Sequence, residues 1–234
     1  MIGNDRVLGV LGGMGPLASA QFMVRLTQLT PAERDQDHVP AVLWSDPRVP
    51  DRTAAHPTGA ADPLPWLLRG VEGLQRAGSG AIAMPCSTAH RWYDPMQAAA
   101  RVPILHIVDA AAAELRRLGC DGGRIGIMGT QATLTSGLYQ DRLGAAGWDC
   151  IVPDADEMRR LVSPAIALVK LNRLEEAHAP LVQVVHRLAE RGARSIVLAC
   201  TETPLGIQAG PAPDAPLVDT IDALARAAIA WAQA

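Results

Sequence analysis

Two cysteines, Cys86 and Cys200, each end a short apolar run and open a turn rich in hydroxyl groups. The first segment reads AIAMPCSTAH over 81–90 and the second SIVLACTETP over 195–204. Each run has the length of a buried parallel strand, and each turn is suited to start a helix. A thiol at a strand's C-terminal end, beside a helix N-terminus, sits where its thiolate is stabilised. Its reference pKa of about 8.5 also lies near enough to neutrality for the proton to be lost and returned. Two such thiols suit proton transfer at a weak carbon acid such as the α-carbon of an amino acid. One removes the proton from one face, and the other, still protonated, supplies a proton from the opposite face.

The elements that must hold these thiols alternate between strand and helix. Apolar runs predict strands over 7–11, 39–44, 81–84 and 104–107, with helices over 17–29, 64–77 and 89–100 between them. Pro16 stands at the first position of the first helix, where its missing N–H costs nothing. A polar, proline-rich loop covers 45–62. The second half predicts strands over 124–128, 150–152 and 195–199, helices over 135–146, 156–170 and 174–191, and a closing amphipathic helix over 221–233. Such alternation implies parallel sheets covered by helices, with ligands beyond the C-terminal ends of the strands.

The halves also resemble one another. Gly9, Gly12, Leu17, Ser19, Arg25 and Leu26 fall on Gly126, Gly129, Leu134, Ser136, Arg142 and Leu143, 117 residues later. Gly78, Ile82 and Cys86 fall on Gly192, Ile196 and Cys200 at nearly the same spacing, 114 residues. Two segments repeated in one order predict two similar halves. The expected fold is α/β: two pseudo-symmetric domains, each a short parallel sheet flanked by helices, with the active site in the cleft between them. The expected domains are 1–107 with 214–234, and 108–213.

Composition narrows the function. With 234 residues, 49% of them hydrophobic, the chain can bury a sizeable core. Its net charge of −3 and the absence of a basic block argue against a nucleic-acid surface. No apolar run is long enough to cross a bilayer, and the start of the chain does not read as a signal peptide, so reduced cysteines and a cytoplasmic location are expected. Cys86 and His90 have no second ligand pair at zinc spacing, so no metal is expected. Gly13 to Ala18 fits G-x-G-x-x-A, but no acidic residue ends the second strand as a dinucleotide site requires. Lys170 is the only lysine. It lies in a helical segment with no phosphate-binding glycine loop, which speaks against a pyridoxal phosphate Schiff base. Cys120 and Cys150 read as ordinary packed residues, and His90 as a residue at a helix start packing on its own turn.

The motifs VLGGMGPLAS (10–19), RDQDH (34–38), VPDRT (49–53), MPCSTAH (84–90) and ACTE (199–202) together resemble the aspartate/glutamate racemase family, aspartate racemases in particular, over nearly the whole chain. The resemblance implies a cofactor-independent enzyme, commonly a homodimer, that interconverts the enantiomers of an acidic amino acid. It implies Cys86 and Cys200 as the catalytic pair. Arg52 and Lys170 would bind the distal carboxylate of the substrate, and Ser87, Thr88 and Thr201 its α-carboxylate. Glu202, two residues after the second cysteine, and Met14, in the first strand-to-helix turn, complete the implied binding set. Ser87 replaces the family's usual asparagine and Ala199 its usual glycine. The first change leaves the substrate more open than the reaction class. A same-scaffold isomerase, hydantoin racemase or decarboxylase is the alternative, and a non-catalytic module that binds an acidic ligand is the third reading.

Overall fold

Strands form where short apolar runs occur, and helices where apolar residues recur at helical spacing. The computed structural model describes residues 6–52 and 61–234. The first half runs β1 (Val7–Gly12), α1 (Pro16–Leu29), β2 (Ala41–Ser45), α2 (Leu64–Arg76), β3 (Ser79–Ala83), α3 (Tyr93–Ala99), β4 (Ile104–Leu105) and α4 (Ile107–Arg117). The second runs β5 (Gly123–Gly129), α5 (Gln131–Thr135), α6 (Leu138–Ala145), β6 (Trp148–Ile151), α7 (Ala155–Glu157), α8 (Ser163–Lys170), α9 (Leu174–Glu190), β7 (Ile196–Ala199), α10 (Thr203–Ile207), β8 (Leu217–Asp219) and α11 (Thr220–Gln233). Residues 53–60 of the expected loop, including Thr53 of the VPDRT element, lie outside the described residues.

The strands form two four-stranded sheets, ordered β2-β1-β3-β4 and β6-β5-β7-β8. Every pairing is parallel. The two orders are the same, as duplicated halves require, and the expected α/β class of two parallel sheets flanked by helices holds. The chain separates into two compact units, one reaching to Ala110 and including Ile221–Ala234, the other Ala111–Thr220. In the first, Leu8, Val10, Phe22, Leu67, Leu74 and Ile82 are fully buried; in the second, Ile125, Ile127, Leu143, Leu181, Val184 and Val197 are. The central strands are covered on both faces, which is why their sequences are continuous apolar runs.

Several expected elements differ in detail. The strand expected over 104–107 is only two residues long, because Ile107 already starts α4. The helix expected over 89–100 begins as a 3₁₀ turn, Thr88–Trp92, before α3. The helix expected over 135–146 starts only at Leu138, as α6, because Gly137, with φ +71°, separates it from α5, a short helix the sequence reading did not include. The helix expected over 156–170 opens with an Asp154–Glu157 capping box and passes through a wider π-type turn, Met158–Val162, before α8. Sequence reasoning did not find α4 or β8. β8 is three residues long, too short for a periodic signal. It pairs with β7, so Leu217–Asp219 belong to the second sheet, although the reading of 214–234 put them with the first domain.

Two glycines differ in the room around them. Gly13, just after β1, has φ +93°, and a Cβ there would lie 2.5 Å from backbone atoms of Asp46. Gly144 lies in helix α6, where a Cβ would meet nothing within 4 Å. One chemical change is therefore expected to act with opposite signs. Gly13→Ala should cost about 3 kcal/mol, since both φ and space oppose it. Gly144→Ala should be neutral or stabilise by up to about 1 kcal/mol through helix propensity. Urea-unfolding midpoints of the two variants against the parent check this.

Candidate functional site

Because the strands of each sheet are parallel, the turns that leave their C-terminal ends share one edge. In the first unit those turns carry Met14 after β1, Arg52 in the segment following β2, and Cys86, Ser87 and Thr88 after β3. The turn after β1 is fixed by Ser19 of α1. Its Oγ accepts the Gly13 N–H at 2.9 Å and donates to the Gly15 carbonyl at 2.8 Å. The turn after β2 is fixed by Asp46, which takes a bidentate contact from Arg48 at 2.8 and 2.9 Å. That hydrogen-bonded guanidinium, which outweighs desolvation, holds the Asp46 carboxyl below the usual range. Met14, Val49, Met84, Cys86 and Ala89 belong to one buried apolar cluster. The structure thus brings Met14 and Cys86 of the expected site together.

Cys86 is 5% exposed. Its N–H donates to the Met84 carbonyl at 2.8 Å across Pro85, a tight turn. Ser87 and Thr88 are equally buried. The expected helix start beside Cys86 is a 3₁₀ segment, Thr88–Trp92, that runs directly into α3. The Arg52 guanidinium is half-buried. One Nη donates to its own loop, to the carbonyls of Val49 and Pro50 at 3.1 and 3.0 Å. Its buried Nε has no hydrogen-bond partner, and among the described residues Arg52 pairs with no carboxylate. Most arginines of the chain differ: Arg25, Arg48, Arg117 and Arg124, for instance, each hold an Asp or Glu.

In the second unit the expected residues lie close in sequence and in space. Cys200 follows β7, and its carbonyl accepts from the Thr203 N–H at 3.0 Å and the Thr203 Oγ1 at 2.7 Å. The Cys200 Sγ donates to Glu202 Oε2 at 3.1 Å, and Thr201 Oγ1 donates to the same oxygen at 3.4 Å. All three residues are at most 5% exposed. The other carboxylate oxygen, Glu202 Oε1, is buried without a hydrogen-bond partner. Burial first, and then the negative charge of Glu202, push the Cys200 thiol well above its ordinary range. The Glu202 N–H and the positive charge of Lys170 act the other way but do not prevail. Cys200 therefore rests protonated, its proton directed at a carboxylate. Lys170 is the exposed last residue of α8 and has no hydrogen bond or ion pair among the described residues. Ala199, in place of the family's glycine, is accommodated because its neighbour across the sheet is Gly129. A Cβ at Gly129 would lie 2.7 Å from the Ala199 carbonyl oxygen.

The remaining thiols lie elsewhere. Cys150 is on β6, pushed up to about 11 by burial and secondarily by Asp149. Cys120 is buried near the Gly122 carbonyl. Among the described residues, no group of three or more His, Cys, Asp or Glu side chains is arranged to hold a metal ion, and no helix is long and apolar enough to cross a membrane. His90, read from the sequence as packing on its own turn, does so through its Nδ1, 2.9 Å from the Cys86 carbonyl oxygen four residues back.

A sequence model described as Asp/Glu/hydantoin racemase matches residues 11–228. The broad-specificity amino-acid racemase RacX of Bacillus subtilis is 29% identical over 201 residues, 84% of this chain and 85% of that one. The solved structure of the Picrophilus torridus aspartate racemase superposes with a TM-score of 0.83 at 32% identity, covering 97% of this chain and 94% of that one. A glutamate racemase from Bacillus anthracis, isoform RacE1, has a TM-score of 0.69 at 20% identity, covering 98% and 82%, a likeness of fold alone.

The Cys200–Glu202 contact makes a test of sign. A carboxylate beside a thiol favours the protonated form, so Glu202→Gln should move the Cys200 titration to lower pH. Lys170→Met, which removes a stabilising cation, should move it higher. Site-resolved alkylation by iodoacetamide as a function of pH, read by peptide mass spectrometry, measures both. An unchanged or raised midpoint in Glu202→Gln would refute the assignment.

Proposed function

The chain belongs to the Asp/Glu/hydantoin racemase family, a family of isomerases, and from that premise we propose that it racemises aspartate or glutamate without a cofactor, using Cys86 and Cys200. The observation that carries the reading is the equivalence of the two thiols. Each follows the strand in the third place of its sheet order, β3 and β7, and each is buried at that strand's C-terminal end.

In this reading one sulfur, as thiolate, takes the α-proton, and the other, as thiol, returns a proton to the opposite face of the carbanion. Cys200, held as a thiol by Glu202, is the proton donor of the resting enzyme, and Cys86 is the base. After one turnover the roles are exchanged, and the reverse enantiomer is the substrate of that form. Glu202 Oε1, buried without a partner, receives an N–H of the substrate's α-ammonium, which supplies the compensation that a buried carboxylate oxygen otherwise lacks. The hydroxyls of Ser87, Thr88 and Thr201, with nearby main-chain N–H groups, hold the α-carboxylate and stabilise charge that develops on it. Arg52 and Lys170, neither paired with a carboxylate among the described residues, receive the distal carboxylate, Arg52 with a planar fork. Met14 supplies apolar wall. A cytosolic homodimer with reduced thiols completes the proposal.

Ser87 and the likeness to a broad-specificity racemase favour a second reading, in which amino acids without a distal carboxylate are also racemised. Substrate choice separates the two. Under the first, Arg52→Gln should raise KM for aspartate by about 10- to 100-fold, the cost of a lost charged hydrogen bond. Under the second, aspartate and uncharged amino acids should be turned over comparably, and Arg52→Gln should change neither much. The chemistry itself is checked by deuterium entering Cα from D2O. Cys86→Ser and Cys200→Ser should each reduce racemisation by at least about 10³-fold, the loss of one acid–base group. Undiminished racemisation in either variant would end the two-thiol mechanism.

A further inference from the structure

His90 lies four residues beyond Cys86 and is 2% exposed. Both ring nitrogens are engaged, and the partners determine its proton. The Ile107 N–H donates to Nε2 at 3.2 Å, so Nε2 carries a lone pair. Nδ1 lies 2.9 Å from the Cys86 carbonyl oxygen, which can only accept, so Nδ1 carries the hydrogen. The ring is thus a neutral Nδ1–H imidazole. An imidazolium would direct a second N–H against the Ile107 N–H, at a helix N-terminus where positive charge is disfavoured.

The other end of this link is rigid. Ile107 is the first residue of α4. The next N–H, of Val108, donates to Nδ1 of His106 at 3.1 Å. His90, His106 and Tyr93 pack together, with centroids 5.0 Å apart for the two histidines and 4.6 Å for Tyr93 and His106, both edge-on. Tyr93 is tied in turn through its hydroxyl to the Ile104 carbonyl at 3.2 Å. Two imidazoles therefore satisfy the first N–H groups of α4, and one of them also grips the turn that carries Cys86. The Cys86 N–H is already bonded to Met84, so with His90 both of its backbone groups are fixed.

We propose that His90 is a positioning residue: as a neutral Nδ1–H imidazole it holds the Cys86 carbonyl against the start of α4, and so sets where the Cys86 sulfur lies during proton transfer. The proposal rests on the reading of Cys86 as an acid–base group. It predicts no direct proton transfer by His90. Displacement of a reacting group by about 1 Å is enough to cost on the order of 10²-fold in rate.

Two near-isosteric variants divide the two bonds. In His90→Asn the side-chain NH₂ takes the place of Nδ1–H and keeps the bond to Cys86. In His90→Gln the side-chain oxygen takes the place of Nε2 and keeps the bond to Ile107. Each loses one bond, so melting temperatures should fall similarly. Catalysis should not: kcat should drop at least about 30-fold in His90→Gln and stay within about threefold in His90→Asn, with KM within about threefold in both. Alkylation of Cys86 by iodoacetamide, resolved from Cys120 and Cys150 as internal references, should quicken in His90→Gln as the turn loosens and remain near native in His90→Asn. That readout needs no racemase activity. If no turnover is found but the alkylation pattern holds, the positioning inference stands and the proposed function fails. Equal losses of kcat in both variants, or Cys86 alkylation that follows stability, would overturn the inference. Long-range proton–nitrogen spectra of the native protein at about pH 7 give a check without mutation: a His90 protonated on Nε2 would also overturn it.

Discussion

Parallel pairing is the constraint on which the rest of this protein depends. Strands that run the same way must all leave the sheet at one edge, and central strands covered on both faces carry apolar side chains throughout. Polar and reactive groups are therefore excluded from the body of each unit and collect in the turns at that edge. Gly13, Ser19 and Asp46 show how closely those turns are packed, since the Asp46 backbone occupies the space a Cβ at Gly13 would need and the Ser19 hydroxyl accepts the Gly13 N–H. Cys86 and Cys200 share this placement. They are buried, yet each is one residue away from groups that can hydrogen-bond.

The repeated halves place equivalent thiols in unlike surroundings. In the second unit the neighbour of Cys200 is a carboxylate, in contact with the sulfur, with one oxygen left unsatisfied in the interior. Burial and this charge act together, and the thiol stays protonated. In the first unit the Cys86 turn carries no carboxylate in its MPCSTAH segment, and a neutral imidazole holds its backbone. A duplicated scaffold with the same strand order thus carries one cysteine beside a charge and another beside a neutral ring. Such asymmetry suits the proposed pair, in which one thiol is protonated while the other is not.

Much of the architecture was legible in the chain. Apolar runs such as VLGVL, AIA and SIVLA become central strands because length and hydrophobicity suffice to mark them. The misreadings have local physical causes. Ile107 was read as strand because ILHI is apolar, but the imidazoles of His90 and His106 cap the N–H groups of Ile107 and Val108 and start a helix there. The helix expected from Thr135 starts only at Leu138, because the positive φ of Gly137 is incompatible with a helix running through it. Arg52 and Lys170 were identified through motif likeness and through the rarity of lysine; their lack of carboxylate partners among the described residues could not be read from sequence, since it depends on where every acidic side chain lies.

The sequence by itself determined the α/β class, the doubled plan, the place of Cys86 and Cys200 at the ends of two strands and the family, because hydrophobic period, turn residues and motif spacing are properties of short stretches of chain. Only the tertiary structure decided the state of those groups. Whether Cys200 holds its proton depends on desolvation and on the distance to one carboxylate oxygen. Whether His90 is a base or a neutral tie depends on a backbone N–H 17 residues further along the chain. Burial and long-range hydrogen bonding arise from packing, which no local pattern encodes.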